Sequence, residues 1–210
     1  MRTIVFQGDS ITDADRSYDC DSKRGLGYPT LVAGKLGFDA PGAFSFINRG
    51  VSGNRVVDMY ARIKRDVINL RPDVLSILIG INDVWHEIGG QNGVDAAKYR
   101  KIYGMFIEEI RAALPETRIL ILEPFVLHGT ATDPHWDYFR SETDLRAAAA
   151  KDVAETYSLT FVPLQSVFDA ALDKAGPDYW TADGVHPTTF GHELIAREWL
   201  RAFHTLGLDA

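Results

Sequence analysis

The sequence predicts an α/β fold, a three-layer α/β/α sandwich around a five-stranded parallel sheet in flavodoxin-like strand order. Two observations predict it. Short apolar runs alternate with longer segments of helical period along the 210 residues, and two of these runs, at residues 74–79 and 118–123, are apolar almost throughout. Continuous apolar runs are typical of strands that are buried on both faces by helices.

The predicted elements follow one another in a regular β–α order. The predicted strands cover residues 3–7, 43–48, 74–79, 118–123 and 160–163, and the predicted helices cover 28–36, 56–70, 96–114, 141–157 and 188–206. Pro72 and Pro115 fall just past two of the predicted helix ends, where proline is common. Because we find neither an internal repeat nor a linker, we expect one domain over residues 1–210.

Composition excludes several classes of partner. The formal net charge of −7 argues against binding to nucleic acid or to an anionic membrane, since both call for basic surfaces. The single cysteine, Cys20, excludes an internal disulfide bond. The sequence has no signal-peptide pattern and no apolar stretch of membrane-spanning length, so we expect a cytoplasmic protein without a membrane partner.

Candidate site residues follow the first three predicted strands, at the sheet edge where open parallel sheets carry their binding and active sites. Ser10 follows the first strand, Gly53 the second and Asn82 the third. Taken alone, a serine in this position is more often a turn residue or a helix cap than a nucleophile. The chain also has no Gly-x-Ser-x-Gly, which excludes the nucleophile elbow of ordinary α/β-hydrolases.

Asp183 and His186 stand three residues apart, just before the last predicted helix. In a turn, this spacing lets the carboxylate reach imidazole Nδ1 and leaves Nε2 free to take a proton from Ser10. The alternative is a polar loop that caps the last helix, with Pro187 near the helix start.

Asn82 and Gly53 are candidates to stabilise an oxyanion. The Asn82 side chain carries an NH₂ donor, and a glycine lets its own backbone N–H approach a ligand closely. Both residues are also ordinary components of turns, so neither decides the function by itself.

A cluster of four aspartates raises the question of a calcium site: Asp13, Asp15, Asp19 and Asp21. An EF-hand loop needs glycine at its sixth position and glutamate at its twelfth, but Tyr18 and Arg24 stand there. We therefore interpret the segment as a solvated loop. The chain has no His-Glu-x-x-His and no phosphate-binding Gly-rich motif, so we expect neither a metal nor an organic cofactor.

Four separated blocks together resemble the SGNH subgroup of the GDSL hydrolases, over nearly the whole chain. The blocks are Gly8-Asp9-Ser10-Ile11, the segment 48–53, Gly80-Ile81-Asn82-Asp83 and the segment 183–186. The resemblance implies a serine esterase in which Ser10 is the nucleophile, His186 the base and Asp183 its orienting carboxylate. It also implies an oxyanion hole formed by the Ser10 and Gly53 N–H groups and the Asn82 side chain.

Within that family, several segments are similar to intracellular acetylxylan esterases: the residues up to Trp85, Glu123-Pro124-Phe125, Asp133-Pro134, and Val185-His186-Pro187 followed by Gly191-His192. This likeness implies a small acetylated sugar as substrate, and a homo-oligomer. The residues Ala182-Asp183-Gly184 depart from the subgroup's pattern.

Asp9, Trp85 and Trp180 are the predicted substrate-binding residues, since an exposed tryptophan offers a flat face for a sugar ring. The alternatives are a short-chain lipid or aryl esterase, a thioesterase, transfer of the acyl group to an acceptor other than water, or a non-catalytic carbohydrate-binding protein on the same fold.

Overall fold

A computed structural model describes residues 1–208 of the chain. Its five strands form one parallel sheet in the order β2-β1-β3-β4-β5, which confirms the predicted fold class and strand order. The strand ends differ from the predicted ones by at most two residues, and the strands are β1 (Arg2–Gly8), β2 (Phe44–Gly50), β3 (Val74–Leu78), β4 (Arg118–Leu122) and β5 (Thr160–Val162).

Helices cover both faces of the sheet. They are α1 (Ser10–Asp13), α2 (Tyr28–Asp39), α3 (Val56–Ala61), α4 (Ile63–Asp66), α5 (Ile81–Trp85), α6 (Ala96–Ala113), α7 (Trp136–Thr156), α8 (Gln165–Ala171), α9 (Pro177–Trp180) and α10 (Thr189–His204). Within the described residues, none of these helices is long and apolar enough to cross a membrane.

The pleat of β1 shows how the sheet separates two cores. Phe6 packs with Tyr28 of α2 and Trp199 of α10 in one apolar cluster, whereas its neighbour Val5 packs with Phe106 of α6 in the other. Successive side chains of a strand point to opposite faces, so one strand contributes to both cores. This two-sided burial is the reason that the strands read as continuous apolar runs.

The helix predicted over residues 56–70 is wrong as a single element. It is divided at Arg62, which leaves helical geometry (φ −113°, ψ 13°), into α3, α4 and a 3₁₀ turn. The Arg62 guanidinium donates to the backbone carbonyls of Arg49 and Gly8 and pairs with Asp66. Its contacts with the ends of β1 and β2 are long-range, and the local periodicity could not reveal them.

Two other differences from the predicted helices have local causes. Helix α7 begins at Trp136, five residues before the predicted start, directly after a 3₁₀ turn at Asp133–His135. Helices α1, α5, α8 and α9 were not predicted, because elements of four to seven residues are too short to show a helical period.

Candidate active site

Ser10 lies directly beyond the carboxyl end of β1, as the first residue of α1. The chain turns sharply here, and α1 packs closely against the end of β2. A Cβ atom on Gly50 would lie 2.3 Å from the backbone nitrogen of Asp13, so only glycine allows this approach. Ser10 Oγ lies 2.9 Å from Nε2 of His186, 176 positions away in the sequence. The structure therefore brings these two predicted site residues together.

The segment from Asp183 to His186, which we call the acid–base turn, is a compact unit. One Asp183 carboxylate oxygen accepts the backbone N–H groups of Val185 (2.9 Å) and His186 (2.8 Å). The other lies 2.7 Å from His186 Nδ1. Aspartate commonly forms such local turns by accepting N–H groups further along the chain. The predicted contact between Asp183 and His186 is present.

The segment of residues 124–135, between β4 and α7, supports the acid–base turn. The Leu127 N–H donates to the Gly184 carbonyl at 2.8 Å, and the Ala131 N–H donates to the Asp183 carbonyl at 3.0 Å. A Cβ atom on Gly129 would lie 2.2 Å from the Asp183 carbonyl carbon, so the two backbones are in close contact. This packing fixes the turn relative to the end of β4.

The pKa values of Asp183 and His186 are shifted in the directions that an acid–base pair needs. Burial alone would raise the pKa of Asp183, but hydrogen bonds from the His186 ring and from the backbone N–H groups of His186 and Val185 outweigh it and lower the pKa to about 2. The hydrogen bond with Asp183 raises the pKa of His186 above 6.5, although burial opposes that shift. Asp183 therefore stays ionised near neutral pH and stabilises a proton on the imidazole.

The three predicted oxyanion residues, Ser10, Gly53 and Asn82, each carry a hydrogen-bond donor that the described residues leave free. In the described part of the chain, the hydrogen bonds leave the backbone N–H groups of Ser10 and Gly53 unpaired. Asn82 Nδ2 donates to the Asn54 carbonyl at 3.2 Å, which orients the amide and leaves its second N–H free. Gly53 has a left-handed backbone (φ +80°) that glycine adopts most readily.

Two buried aspartates hold the segment of residues 51–55, which we call the oxyanion loop. On the α1 side, Asp13 accepts both the N–H and the hydroxyl of Ser52 at 3.1 Å. On the α5 side, both carboxylate oxygens of Asp83 lie 3.1 Å from the N–H of Val56, just past the loop. Burial raises the pKa of Asp83 well above its ordinary value. The prediction of a solvated aspartate loop is thus wrong for Asp13, which is 4% exposed.

The prediction that Asp9 contacts substrate is not supported by its position. Asp9 is 1% exposed and caps α1, with one carboxylate oxygen accepting the Ile11 N–H at 3.0 Å. Its other oxygen is buried without a partner. Burial raises the pKa of Asp9 to about 7, while the Ile11 hydrogen bond and the charge of His186 oppose the shift. Asp9 therefore lies beneath the site, without a surface that a substrate could reach.

The predicted tryptophans have different surroundings. Trp180 is buried and its Nε1–H donates to the carbonyls of Ala171 and Ala175, so it has neither a free face nor a free donor for a sugar. Trp85 is half-buried, with its ring centroid 5.9 Å from that of His186. The burial of Trp180 does not favour contact with a sugar, and contact between Trp85 and substrate stays a prediction.

A cavity of about 500 Å³ opens beside Ser10 and His186. Its wall includes His192, on the first turn of α10, which was not among the predicted site residues. The sequence offered only a weak signal for it, the pair Gly191-His192 in the subgroup likeness, because its place depends on contacts with residues near position 28. Across residues 1–208, no three His, Cys, Asp or Glu side chains form a metal-binding group.

Comparison with known proteins agrees with this geometry. The model of the GDSL-like lipase/acylhydrolase family matches residues 6–194. An acetylxylan esterase from Geobacillus stearothermophilus is 34% identical over 209 aligned positions, and the alignment covers 94% of this chain and 92% of that protein.

Solved structures give the same result. A protein from Parabacteroides merdae, described as a GDSL-like lipase, has a TM-score of 0.91 at 35% identity, over 99% of this chain and 96% of that one. The Geobacillus acetylxylan esterase has a TM-score of 0.85 at 32% identity, over 96% and 93%. Three structures of that enzyme are catalytic mutants, in which a serine, an aspartate or a histidine is replaced by alanine.

The match to the family model spans most of the chain, and both the fold and the identity to an esterase extend over nearly all of it. The chain therefore belongs to the GDSL-like lipase/acylhydrolase family and is a carboxylic ester hydrolase.

Proposed function

We propose that this chain is a serine esterase that removes acetyl groups from acetylated oligosaccharides such as xylo-oligosaccharides, through a Ser10–His186–Asp183 triad. The observation that carries the proposal is the continuous hydrogen-bonded chain from Ser10 Oγ to His186 Nε2 (2.9 Å) and from His186 Nδ1 to Asp183 (2.7 Å). A nucleophile, a base and an orienting carboxylate in this arrangement activate a serine hydroxyl at neutral pH.

The proposed reaction has two halves. Ser10 Oγ attacks the ester carbonyl while His186 Nε2 takes the hydroxyl proton. As the tetrahedral intermediate collapses, His186 donates that proton to the leaving alcohol and the acyl group remains on Ser10. A water molecule, deprotonated by His186, then attacks the acyl-enzyme and releases the acid. Asp183 keeps the proton of the neutral imidazole on Nδ1, so that Nε2 faces Ser10 as an acceptor.

The negative charge on the tetrahedral oxygen is stabilised by the three donors beside Ser10. They are the unpaired backbone N–H groups of Ser10 and Gly53 and the free amide N–H of Asn82. The hydrogen bonds from donors that are already in place become stronger as the charge develops. Each donor typically stabilises the transition state by about 3 kcal/mol. This chemistry uses only protein groups.

The acetylated sugar is supported by the relatives and by the cavity. The Geobacillus relative is an acetyl-xylooligosaccharide esterase, and its catalytic mutants replace the same three residue types that meet here. The cavity of about 500 Å³ is much larger than an acetyl group and falls in the range of small-ligand sites. It leaves room for a sugar-sized alcohol.

The test is acetate release from acetylated xylo-oligosaccharides, measured beside p-nitrophenyl esters of increasing acyl length. We expect release from the sugar and a steep fall in kcat/KM from acetate to hexanoate. The Ser10→Ala variant should keep the melting temperature and lose activity to near background. Activity confined to aryl or longer-chain esters would overturn the sugar substrate, and an active Ser10→Ala enzyme would overturn the nucleophile.

A further inference from the structure

The imidazole of His192 is held in one tautomer by the backbone of α2. Its Nδ1 lies 3.2 Å from the nitrogen of Tyr28, and a backbone N–H can only donate. Nδ1 therefore accepts that hydrogen bond and carries no proton. A neutral imidazole holds its single proton on the other nitrogen, so His192 presents Nε2–H as a donor.

His192 stays neutral over the working range of an esterase. Burial and, to a smaller extent, the nearby positive charge of His186 together lower its pKa to about 4. Nε2–H therefore remains the only polar hydrogen of this ring both when His186 is neutral and when it is charged. The ring itself is fixed, since it stacks on Tyr28 with 6.5 Å between centroids and a Cβ atom on Gly27 would lie only 2.9 Å from Cε1.

The donor has no partner within residues 1–208. His192 is 7% exposed. Of its two ring nitrogens, only Nδ1 takes part in a hydrogen bond within the described chain. Nε2 is not fully enclosed by protein atoms. His192 lines the same cavity as Ser10 and His186. A nearly buried side chain thus directs one fixed, unused donor into the cavity beside the nucleophile.

The cavity also contains a hydrogen-bond acceptor. The exposed carboxylate of Asp15 lines it, on a backbone with two consecutive left-handed residues, Ala14 (φ +41°) and Asp15 (φ +62°). Such conformations cost energy in non-glycine residues and are concentrated at functional sites. One fixed donor and one acceptor in a cavity that is also partly apolar complement an alcohol that carries several oxygen atoms.

We propose that His192 is a substrate-binding residue whose Nε2–H donates a hydrogen bond to an oxygen of the alcohol part of the ester. This inference rests on the proposed acetyl ester, because the single acetyl oxygen is bound by the oxyanion donors and every further acceptor belongs to the alcohol. The site therefore selects esters of polyols and sugars over esters of simple alkanols.

Two substitutions separate the structural and the binding roles of the imidazole. His192→Asn keeps an acceptor near the position of Nδ1 for the Tyr28 N–H but removes the donor in the cavity. His192→Gln places an amide donor near the position of Nε2 but leaves the Tyr28 N–H without its acceptor. The first variant should lose selectivity with little loss of stability, and the second should lose stability with little loss of selectivity.

The experiment measures kcat and KM of the wild type and both variants on acetylated xylo-oligosaccharides, glycerol triacetate and butyl acetate. Loss of one neutral hydrogen bond corresponds to roughly a fivefold to tenfold effect, so His192→Asn should lower kcat/KM by that factor on the first two esters, mainly through KM. On butyl acetate it should stay within about twofold of wild type, since butanol has no second oxygen. His192→Gln should restore most of the loss, with a lower melting temperature.

Each outcome decides one question. Equal losses of His192→Asn on all three esters, a His192→Gln enzyme that behaves like His192→Asn, or a wild type that prefers butyl acetate to glycerol triacetate would overturn the role of His192. If the wild type leaves the acetylated sugar intact while glycerol triacetate remains sensitive to His192→Asn, the sugar substrate falls and the role of His192 stands. If the wild type hydrolyses the acetylated sugar and His192→Asn leaves that rate unchanged, the role of His192 falls and the sugar substrate stands.

Discussion

The acid–base turn and the oxyanion loop meet at Ser10, but they are built in different ways. In the turn, Asp183 holds His186 through one side-chain contact and two backbone N–H groups, all within four residues. Inside the oxyanion loop, the Asn54 N–H donates to the Val51 carbonyl at 3.1 Å, but the loop's side-chain anchors come from other elements. It is held by Asp13 from α1, by Asp83 from α5 and by the contact between Asn82 and Asn54.

Because the two parts are held differently, substitutions should affect them in different ways. A local turn keeps its shape when one of its groups changes chemistry but not size, so a substitution there acts on the chemical step. A loop held from two sides by buried carboxylates moves when either side is removed, so a distant substitution alters the position of a donor. Positional errors at such a site are costly, because donors must lie at hydrogen-bond distance from the developing charge.

The largest expected effect comes from changing the chemistry of the turn without its shape. In Asp183→Asn, the amide oxygen still accepts the N–H groups of Val185 and His186, but the NH₂ group faces Nδ1 of His186. The imidazole then carries its proton on Nε2 and no longer accepts one from Ser10. We expect kcat to fall by about 10⁴ and the melting temperature to fall moderately, because the ionised carboxylate also stabilises the folded turn. A loss below tenfold would show that Asp183 does not fix the tautomer.

Removal of one donor from the oxyanion side should have the next largest effect. Asn82→Ala removes the free N–H that acts when charge develops, together with the Asn82 contact to the Asn54 carbonyl, so kcat should fall by about 10² to 10³ with a smaller change in KM. Single-turnover kinetics with p-nitrophenyl acetate would confirm that acylation is the slowed step. An unchanged kcat would remove Asn82 from the mechanism.

The same contrast explains how much the sequence could predict. The triad spacing at Asp183 and His186 is local, and buried strands such as β3 are recognisable from four or five apolar residues. The family blocks located Gly53 and Asn82. The resemblance and the fold class are confirmed, whereas the roles of these residues, the cytoplasmic location and the homo-oligomer stay predictions.

What the sequence could not predict depends on contacts between distant segments. The support of the oxyanion loop by Asp13, 39 positions from Ser52, has no local pattern, and an aspartate-rich segment reads as solvated. The tautomer of His192 is set by the backbone of a residue 164 positions away. The burial of Trp180 follows from carbonyls at the end of α8 that satisfy its indole N–H. Composition and period carry no information on such pairings.

A third prediction tests the distant support of the oxyanion loop. Asp13→Ala leaves the Ser52 N–H without its acceptor and frees the residue before Gly53. We expect kcat to fall by about tenfold and the free energy of unfolding by about 1–3 kcal/mol, the cost of an unsatisfied buried donor. Asp19→Ala is the matched control, since it removes the same charge from an exposed position in the same segment. Equal kinetics of the two variants would exclude a positional role for Asp13.

The smallest expected effect concerns Asp9, which contacts neither part directly but acts on the charge of His186. Neutral His186 is the form that takes the Ser10 proton, so kcat/KM should rise with pH along a limb whose midpoint lies above 6.5. The Asp9 carboxylate contributes to that elevated pKa. Asp9→Asn keeps an acceptor for the Ile11 N–H but removes the charge, so the limb should move to lower pH by a fraction of a pH unit. A limb that stays in place would show that the Asp9 charge does not reach His186.

Stability gives an independent check of the same substitution, because it does not depend on catalysis. The pKa of Asp9 is raised from 3.8 to about 7, so the folded protein holds a proton that the unfolded chain has already lost. The free energy of unfolding contributed by this group is therefore present below about pH 4 and is lost as pH rises to about 7, by up to about 4 kcal/mol. Asp9→Asn cannot lose that proton. The difference in unfolding free energy between the variant and the wild type, measured by urea denaturation at pH 5 and pH 8, should shift in favour of the variant at the higher pH. A difference independent of pH would mean that Asp9 is already ionised in the folded protein at pH 5, and its charge would then act on His186 along the whole activity limb.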